Sequence, residues 1–427
     1  MAFDLTQGAP QRIAIVGGGI SGLSTAWLLA QDHSVTLFEA EARLGGHART
    51  VVAGRRGDQP VDTGFIVFNY TNYPHLTGLF RDLDVPVIRS DMSFGVSLNG
   101  GRIEYALRSA DTLFAQRRNL FYPQFYKMIR DILRFNASAE AEVAAAPDLT
   151  IGDLVARMGL GSMFRDAYLC PFCGAIWSTP DQGIAAFPAQ ALVRFMRNHG
   201  LMSKGQHHQW WTVEGGSVSY VSRLEAALVR AGVLLRKGTP AEAIRRTAEG
   251  VHIHSAGSEP ETFDHVILAS HPDQSLRMLA DADEAERTAL SAIRFQPNRT
   301  VLHADARVMP RRRKCWSSWV SRGDTGTGAV DVSYWMNRLQ SIPEDDPLFV
   351  SLNPTQEIDE RLIYDEVSFS HPVFDLAALA AQRQIAAMQG LRNTWFAGAW
   401  LRNGFHEDGF ASAWRVARNR PFARVRT

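Results

Sequence analysis

The chain has 427 residues, 45% hydrophobic and 21% charged, with 45 basic against 44 acidic side chains. This length exceeds what one ordinary core serves and predicts two intertwined domains, while the near-neutral balance excludes a global drive toward nucleic acid. Three cysteines are too few for a disulfide scaffold, and no apolar run is long enough to predict a transmembrane helix. The opening MAFDLTQGAPQR lacks the charged start and apolar centre of a secretory signal, so a cytoplasmic location is expected.

In chain order, Ile13–Val16 is apolar without alternation, the pattern of a strand buried on both faces of a parallel sheet. Gly17, Gly19 and Gly22 then form G-x-G-x-x-G ahead of a helical pattern. The first glycine permits a tight turn, the second lets backbone approach a pyrophosphate, and the third lets the helix pack on the strand. Ser21 and the free N–H groups beyond it would meet phosphate at the positive end of that helix. A second apolar run, Val35–Phe38, ends at Glu39, placed to accept hydrogen bonds from a ribose 2′-hydroxyl. A dinucleotide is expected here. In the EAEARLGGHART stretch that follows, Arg43 can swing under the pyrophosphate, and Gly45 and Gly46 let the chain pass close to a ribityl diphosphate.

Further along, residues 113–135 have helical period and mix Phe121, Tyr122, Phe125, Tyr126, Ile129, Ile132 and Leu133 with Arg117, Arg118, Lys127, Arg130 and Arg134. This reads as a core-packed helix with solvated arginines, or as a basic–aromatic helix lying on an anionic membrane. Cys170 and Cys173 in CPFC lack a thioredoxin-type context. A zinc site would need two more ligands and only Cys315 remains, so neither redox pair nor metal is expected. GLGSMF and GDTGTG (323–328) do not follow a buried strand and open a helix, so no second nucleotide domain is expected. The RRRK run at 311–314 and the arginine-rich stretch Arg415–Arg426 read as ordinary solvent-facing charge or as additions to a basic face. His271 and His371 read as hydrogen-bonded histidines rather than catalysts. Trp210, Trp211, Tyr334 and Trp335 read as core, with a pocket wall as the alternative.

The E-x-x-x-R-x-G-G pattern from Glu39, directly after G-x-G-x-x-G, resembles the flavin-containing amine oxidase superfamily. That group includes monoamine and polyamine oxidases, protoporphyrinogen oxidase and phytoene-type desaturases. The resemblance implies FAD as cofactor and an α/β fold, with a Rossmann-type, glutathione-reductase-like FAD domain intertwined with an α+β substrate domain. Residues 1–69, 210–295 and 390–427 would form the first, and 70–209 with 296–389 the second. It also implies FAD contacts at Ile20, Ala40, Leu44 and His47, the last standing where the family often has arginine. VDTGFIVFN (61–69) would pass near the flavin ring through Thr63, Gly64, Phe65 and Ile66. Residues 241–269, read as strand, turn and strand ending in Val266–Ala269, would supply Ala241, Glu242, Ala243 and Ala269 near the adenine end. TWFAGAWLRNGFHEDGFASAWRVA (394–417) resembles the terminal FAD motif, with Gly398, Gly409, Phe410 and Ala413 as contacts and a helix N-terminus facing the flavin. Ala399 and Trp400 stand where the family commonly has Glu or Asp after the Ala-Gly pair.

More narrowly, GGHARTV, GFIVFNYTNYPHLTGLF, DMSFGVS, AIWSTP and WFAGAWLRNGFHEDG resemble a bacterial subgroup of predicted NAD/FAD-binding proteins. Its members accompany cyclopropane-fatty-acid synthase-like methyltransferases, and some are implicated in desaturating methyl-branched acyl chains toward furan fatty acids. The implied activity is removal of hydride from a carbon of a lipid acyl chain to flavin N5, with reoxidation by oxygen or another acceptor. His406 and Glu407 in GFHEDG are the candidates for proton handling, alongside the alternative of a loop that only shapes the FAD pocket; Asp408 would cap the helix. The expected partner is a lipid presented at the inner membrane face, with peripheral contact there and no nucleic acid. An amine oxidase, a polyene or tetrapyrrole oxidoreductase, a non-redox flavin isomerase and a non-enzymatic FAD scaffold are the rivals.

Overall fold

The computed structural model describes residues 9–177, 181–202, 208–325, 331–419 and 421–422, with the side chains of 181 and 182 left aside. Ser178–Pro180 of AIWSTP, Gly326 and Gly328 of GDTGTG, and Arg420, Arg424 and Arg426 lie outside the described residues.

A five-stranded parallel sheet runs in the order Leu234–Arg236, Ser34–Phe38, Arg12–Val16, His265–Leu268, Thr394–Phe396. The runs read as two-faced strands are that: Ile13, Ala14, Ile15, Val266, Ile267 and Leu268 are all fully buried. Helix Ile20–Leu29 leaves the first strand, and helix His406–Ala417 packs along it.

Between the sheet's third and fourth sequence segments the chain makes more turns than the sequence reading allowed. Instead of strand, turn and strand, it forms an antiparallel sheet of Ala241–Thr247, Gly250–Ser255 and Glu261–Phe263, then a separate strand, His265–Leu268, in the parallel sheet. A second turn, closed by Ser258 N–H on the Ser255 carbonyl, reverses the chain where a single connection was expected. Val251, Ile253 and Ser255 point inward and His252 and His254 sit between them, the period of a one-sided strand.

A seven-stranded sheet follows the order Ile363–Pro372, Phe295–His303, Phe349–Leu352, Asp331–Trp335, Trp319–Gly323, Phe94–Leu98, Ile103–Ala106, antiparallel except where 319–323 meets 94–98. Helices Pro123–Ala145, Ile151–Arg157, Cys170–Trp177 and Ala189–Asn198 share a core with it. The single helix expected over 113–135 is broken. A 3₁₀ turn, Arg117–Phe121, ends at Tyr122, and the helix starts at Pro123. Proline disfavours helical geometry in the residue before it, and Tyr122 has φ −106° and ψ 101°. Cys170, Cys173 and Cys315 are buried free thiols, and burial raises the Cys173 and Cys315 pKa values above that of a free thiol. Among the described residues no helix is long and apolar enough to cross a membrane, and no cluster is suited to a metal ion.

Candidate FAD site

The nucleotide loop is held by backbone. Gly17, at φ +111°, donates its N–H to the Phe38 carbonyl at 2.8 Å. A Cβ on Gly22 would lie 1.8 Å from the Gly17 carbonyl oxygen, so helix and strand meet at a distance only glycine allows. Gly19 is the N-cap of helix Ile20–Leu29 and no side chain caps it, which leaves the first-turn N–H groups of Ile20, Ser21 and Gly22 for an anion. A Cβ on Gly19 would meet nothing nearer than the Gly46 Cα at 4.0 Å, so space stands above this floor.

Glu39 closes one end. Its Oε2 accepts from Gly18 N–H at 2.5 Å and its Oε1 from Glu41 N–H at 2.8 Å, which orients a carboxylate that still has lone pairs to offer. Thr239 N–H donates to the Glu39 carbonyl at 2.8 Å, bringing the strand that carries Ala241, Glu242 and Ala243 beside Glu39 and Ala40. Gly45 N–H donates to Gly18 O at 2.8 Å, and Arg43 braces the next turn through Gly46 O at 2.9 Å, with Leu44 buried behind it. The structure thus places Arg43 on its own loop.

The opposite wall comes from distant segments. Phe65 N–H donates to the His47 carbonyl and Thr63 N–H to the Arg49 carbonyl, both at 2.9 Å, which lays Thr63, Gly64, Phe65 and Ile66 along the loop after Gly46. Asp62 knots this wall. Its carboxylate accepts from Thr50 Oγ1 at 2.6 Å, Ser217 Oγ at 2.7 Å, Ser217 N–H at 2.8 Å and Gln340 Nε2 at 3.1 Å, while burial pushes its pKa up to about 6. Ala269 is bonded to Val16 O and touches Gly17, and Ala397 N–H continues the sheet to Gly398, whose N–H meets Ser412 Oγ at 2.8 Å. Where an acid was noted as missing, Trp400 lies over Gly398 and donates Nε1–H to Ser270 O at 3.2 Å.

Helix His406–Ala417 completes the slot, with Gly409 against Ile20 and Ser21, and Phe410 and Ala413 buried on its inner side. Asp408 accepts from Phe405 N–H at 3.1 Å and caps the helix. His406 is half-buried, stacked on Phe65 at 3.9 Å between centroids, and its Nε2 lies 2.6 Å from the Tyr220 hydroxyl. Burial lowers its pKa to about 3, so the ring is neutral. Glu407 points elsewhere: its two oxygens accept from His75 and Leu76 N–H, each at 3.0 Å, at the start of helix Pro74–Asp82. Burial raises it to about 7 despite those two donors.

His271 and His371, read singly from the sequence, converge on His47. The His47 ring stacks on Phe369 at 4.8 Å and lies 5.4 Å from His371 and 5.9 Å from His271, which itself stacks on Phe295 at 4.0 Å. Desolvation lowers all three pKa values, His371 to about 3 and His271 to about 4. The only sequence signal joining the last two is the Ser-His-Pro each sits in.

An uncapped helix start over a glycine floor, an acid at one end and a second helix start at the other form a cradle that fits an extended dinucleotide. The family model described as flavin containing amine oxidoreductase matches residues 20–419. The chain belongs to this family. Its cofactor is FAD, and the family is one of flavin-containing oxidoreductases. Coproporphyrinogen III oxidase of Mycobacterium tuberculosis is 41% identical over 78 residues, 17% of this chain and 16% of that protein. L-amino-acid oxidase of Sistrurus catenatus edwardsii is 55% identical over 42 residues, 10% and 8% of the two chains. The chain therefore matches less than a fifth of the length of these relatives. A fatty acid isomerase from P. acnes superposes with TM-score 0.69 at 17% identity, covering 97% of this chain and 99% of that one. Cyclohexylamine oxidase from Brevibacterium oxydans superposes with TM-score 0.67 at 17% identity, covering 96% and 98%. At such identities the likeness is one of fold.

Proposed function

We propose that this flavoprotein removes hydride from a carbon of a lipid acyl chain and leaves a carbon–carbon double bond, with a methyl-branched unsaturated chain as the preferred substrate. The observation that carries the reading is the wall of core aromatics before the last helix, of which Phe405 and His199 are partly exposed. Phe405 stacks on Phe195 at 4.9 Å and packs near Trp177 and His199, and Phe374 packs on Phe187 behind them. The two carboxylates next to it, Glu407 and Asp408, are buried with their oxygens on backbone N–H groups, so neither presents an exposed charge to a substrate ammonium. Such a wall suits a hydrocarbon and offers an amine little. The fold also serves an enzyme named for a fatty acid, the P. acnes isomerase.

Bound FAD supplies the two-electron acceptor. The chain's residues must position one C–H bond and give the neighbouring carbon's proton a place to go as the new double bond forms. His406 is unprotonated at neutral pH, and the Tyr220 hydroxyl can donate to its Nε2 or accept from it, so either state of the ring keeps its partner.

Anaerobic mixing of FAD-loaded protein with methyl-branched monounsaturated phospholipid is expected to bleach the oxidised flavin band and to yield a lipid two hydrogens lighter by mass spectrometry. Bleaching by amines alone would overturn the reading in favour of an amine oxidase. A rearranged lipid of unchanged mass would make the protein an isomerase.

A further inference from the structure

Away from the cofactor slot, the corner joining the 3₁₀ turn Arg117–Phe121 to helix Pro123–Ala145 carries an exposed apolar surface. Phe121 is 87% exposed, more than any other large apolar side chain among the described residues, and Leu120, Tyr122, Tyr126 and Leu133 are exposed beside it. The inner face of the helix already has its partners, since Phe125, Met128 and Phe135 are fully buried, so the outer residues are not a displaced core. The Tyr126 hydroxyl donates to the Leu120 carbonyl at 3.0 Å and ties the helix to the turn.

Cations are interleaved with these rings: Arg117, Arg118, Lys127, Arg130 and Arg134 are all exposed. The nearby carboxylates are already engaged. Asp111 holds Arg117 and Lys314, Glu104 is buried against Arg312, and Asp131 is buried against Gly161 N–H and Arg130. Farther along the helix the character reverses, where Glu140 and Glu142 pair with Arg197 and Arg157. The basic–aromatic surface is thus confined to the corner and the first turns that follow it.

We propose that this corner docks the enzyme on the face of an anionic lipid bilayer. Aromatic rings with polar edges settle at headgroup depth, and arginine and lysine stems lie along the apolar layer while their charged ends reach lipid phosphates. Arg118, Lys127 and Arg134, which have no carboxylate partner among the described residues, select anionic over zwitterionic lipid. This docking concerns where the enzyme works and stands whether or not its substrate is an acyl chain.

The test is co-sedimentation of the FAD-loaded protein with vesicles of phosphatidylcholine, with and without phosphatidylglycerol. Binding is expected to be about tenfold tighter with the anionic lipid and to weaken as salt rises. Phe121→Ser is expected to weaken it about tenfold, and Arg118→Glu with Arg134→Glu to abolish the anionic preference. Val229→Ser, 60% exposed elsewhere, should change nothing. Unchanged flavin content shows that each variant is folded. Equal binding to both vesicles, no binding, or a Phe121→Ser variant that binds like the parent would overturn the proposal. So would a concentration-dependent dimer lost on Phe121→Ser, which would give the surface to a second copy of the chain.

Discussion

The two walls of the FAD slot are built by different means. The wall from Gly17 to Gly46 is local and made of backbone: a turn, an uncapped helix start and an acid bonded to main-chain N–H groups. The opposite wall is made of side chains gathered across the whole sequence, with His47, Phe65, Tyr220, His271, His371 and His406 in ring or hydrogen-bond contact. The ionisable side chains that brace the first wall are Glu39 and Arg43; the second carries four half-buried imidazoles whose pKa values desolvation lowers. One wall should therefore fail by steric change and the other by change of charge.

The largest effect is expected from Gly22→Val. Its Cβ would overlap the Gly17 carbonyl, and flavin absorbance per mole of protein should fall to background. Acidification comes next and acts on the other wall and on two histidines outside it, His199 and His303. His199, His271 and His303 are lowered to about 4, and His371 and His406 to about 3, from an ordinary value of 6.5. The unfolded chain binds protons there that the native chain refuses, so stability should drop as pH falls below 6.5. Glu407, raised to about 7, and Asp62, raised to about 6, oppose this, since their contribution is present at low pH and lost as pH rises. With His47, His75 and His265 also lowered and Asp408 also raised, eight histidines against three carboxylates leave acid as the destabilising direction, readable as a falling melting temperature between pH 6.5 and 4.

Asp62→Ala removes the knot between four segments and strands the donors of Ser217, Thr50 and Gln340, a loss of about 3 kcal/mol in denaturant unfolding. Tyr220→Phe removes the hydrogen-bond partner of His406 Nε2. It should cost about 1–2 kcal/mol and change the pH profile of flavin reduction while FAD is retained. The smallest effect is reserved for the surface: Phe121→Ser should alter folding stability by less than about 0.5 kcal/mol, however strongly it affects lipid binding.

The local wall was the legible one. Strand Arg12–Val16, the glycine loop and Glu39 follow from neighbours within a few residues, and the structure forms the strand, the helix after the loop and the strand that ends before Glu39. Glu407 shows the limit. A carboxylate beside His406 reads as a proton carrier, yet its oxygens meet N–H groups more than three hundred residues away, a pairing no spacing encodes. The same distance hides the meeting of His47 with His271 and His371. The break at Tyr122, by contrast, was readable from Pro123, because a proline's constraint on its predecessor outweighs apolar period over one turn.

The packing of helix His406–Ala417 on Ile20–Leu29 has a temporal consequence. The phosphate loop leaves the ribosome hundreds of residues ahead of the strand Thr394–Phe396 and the helix that follows it. A nascent polypeptide can fold the early half of the slot but has nothing to shut it with, so yellow colour should mark only chains whose translation has passed that final helix.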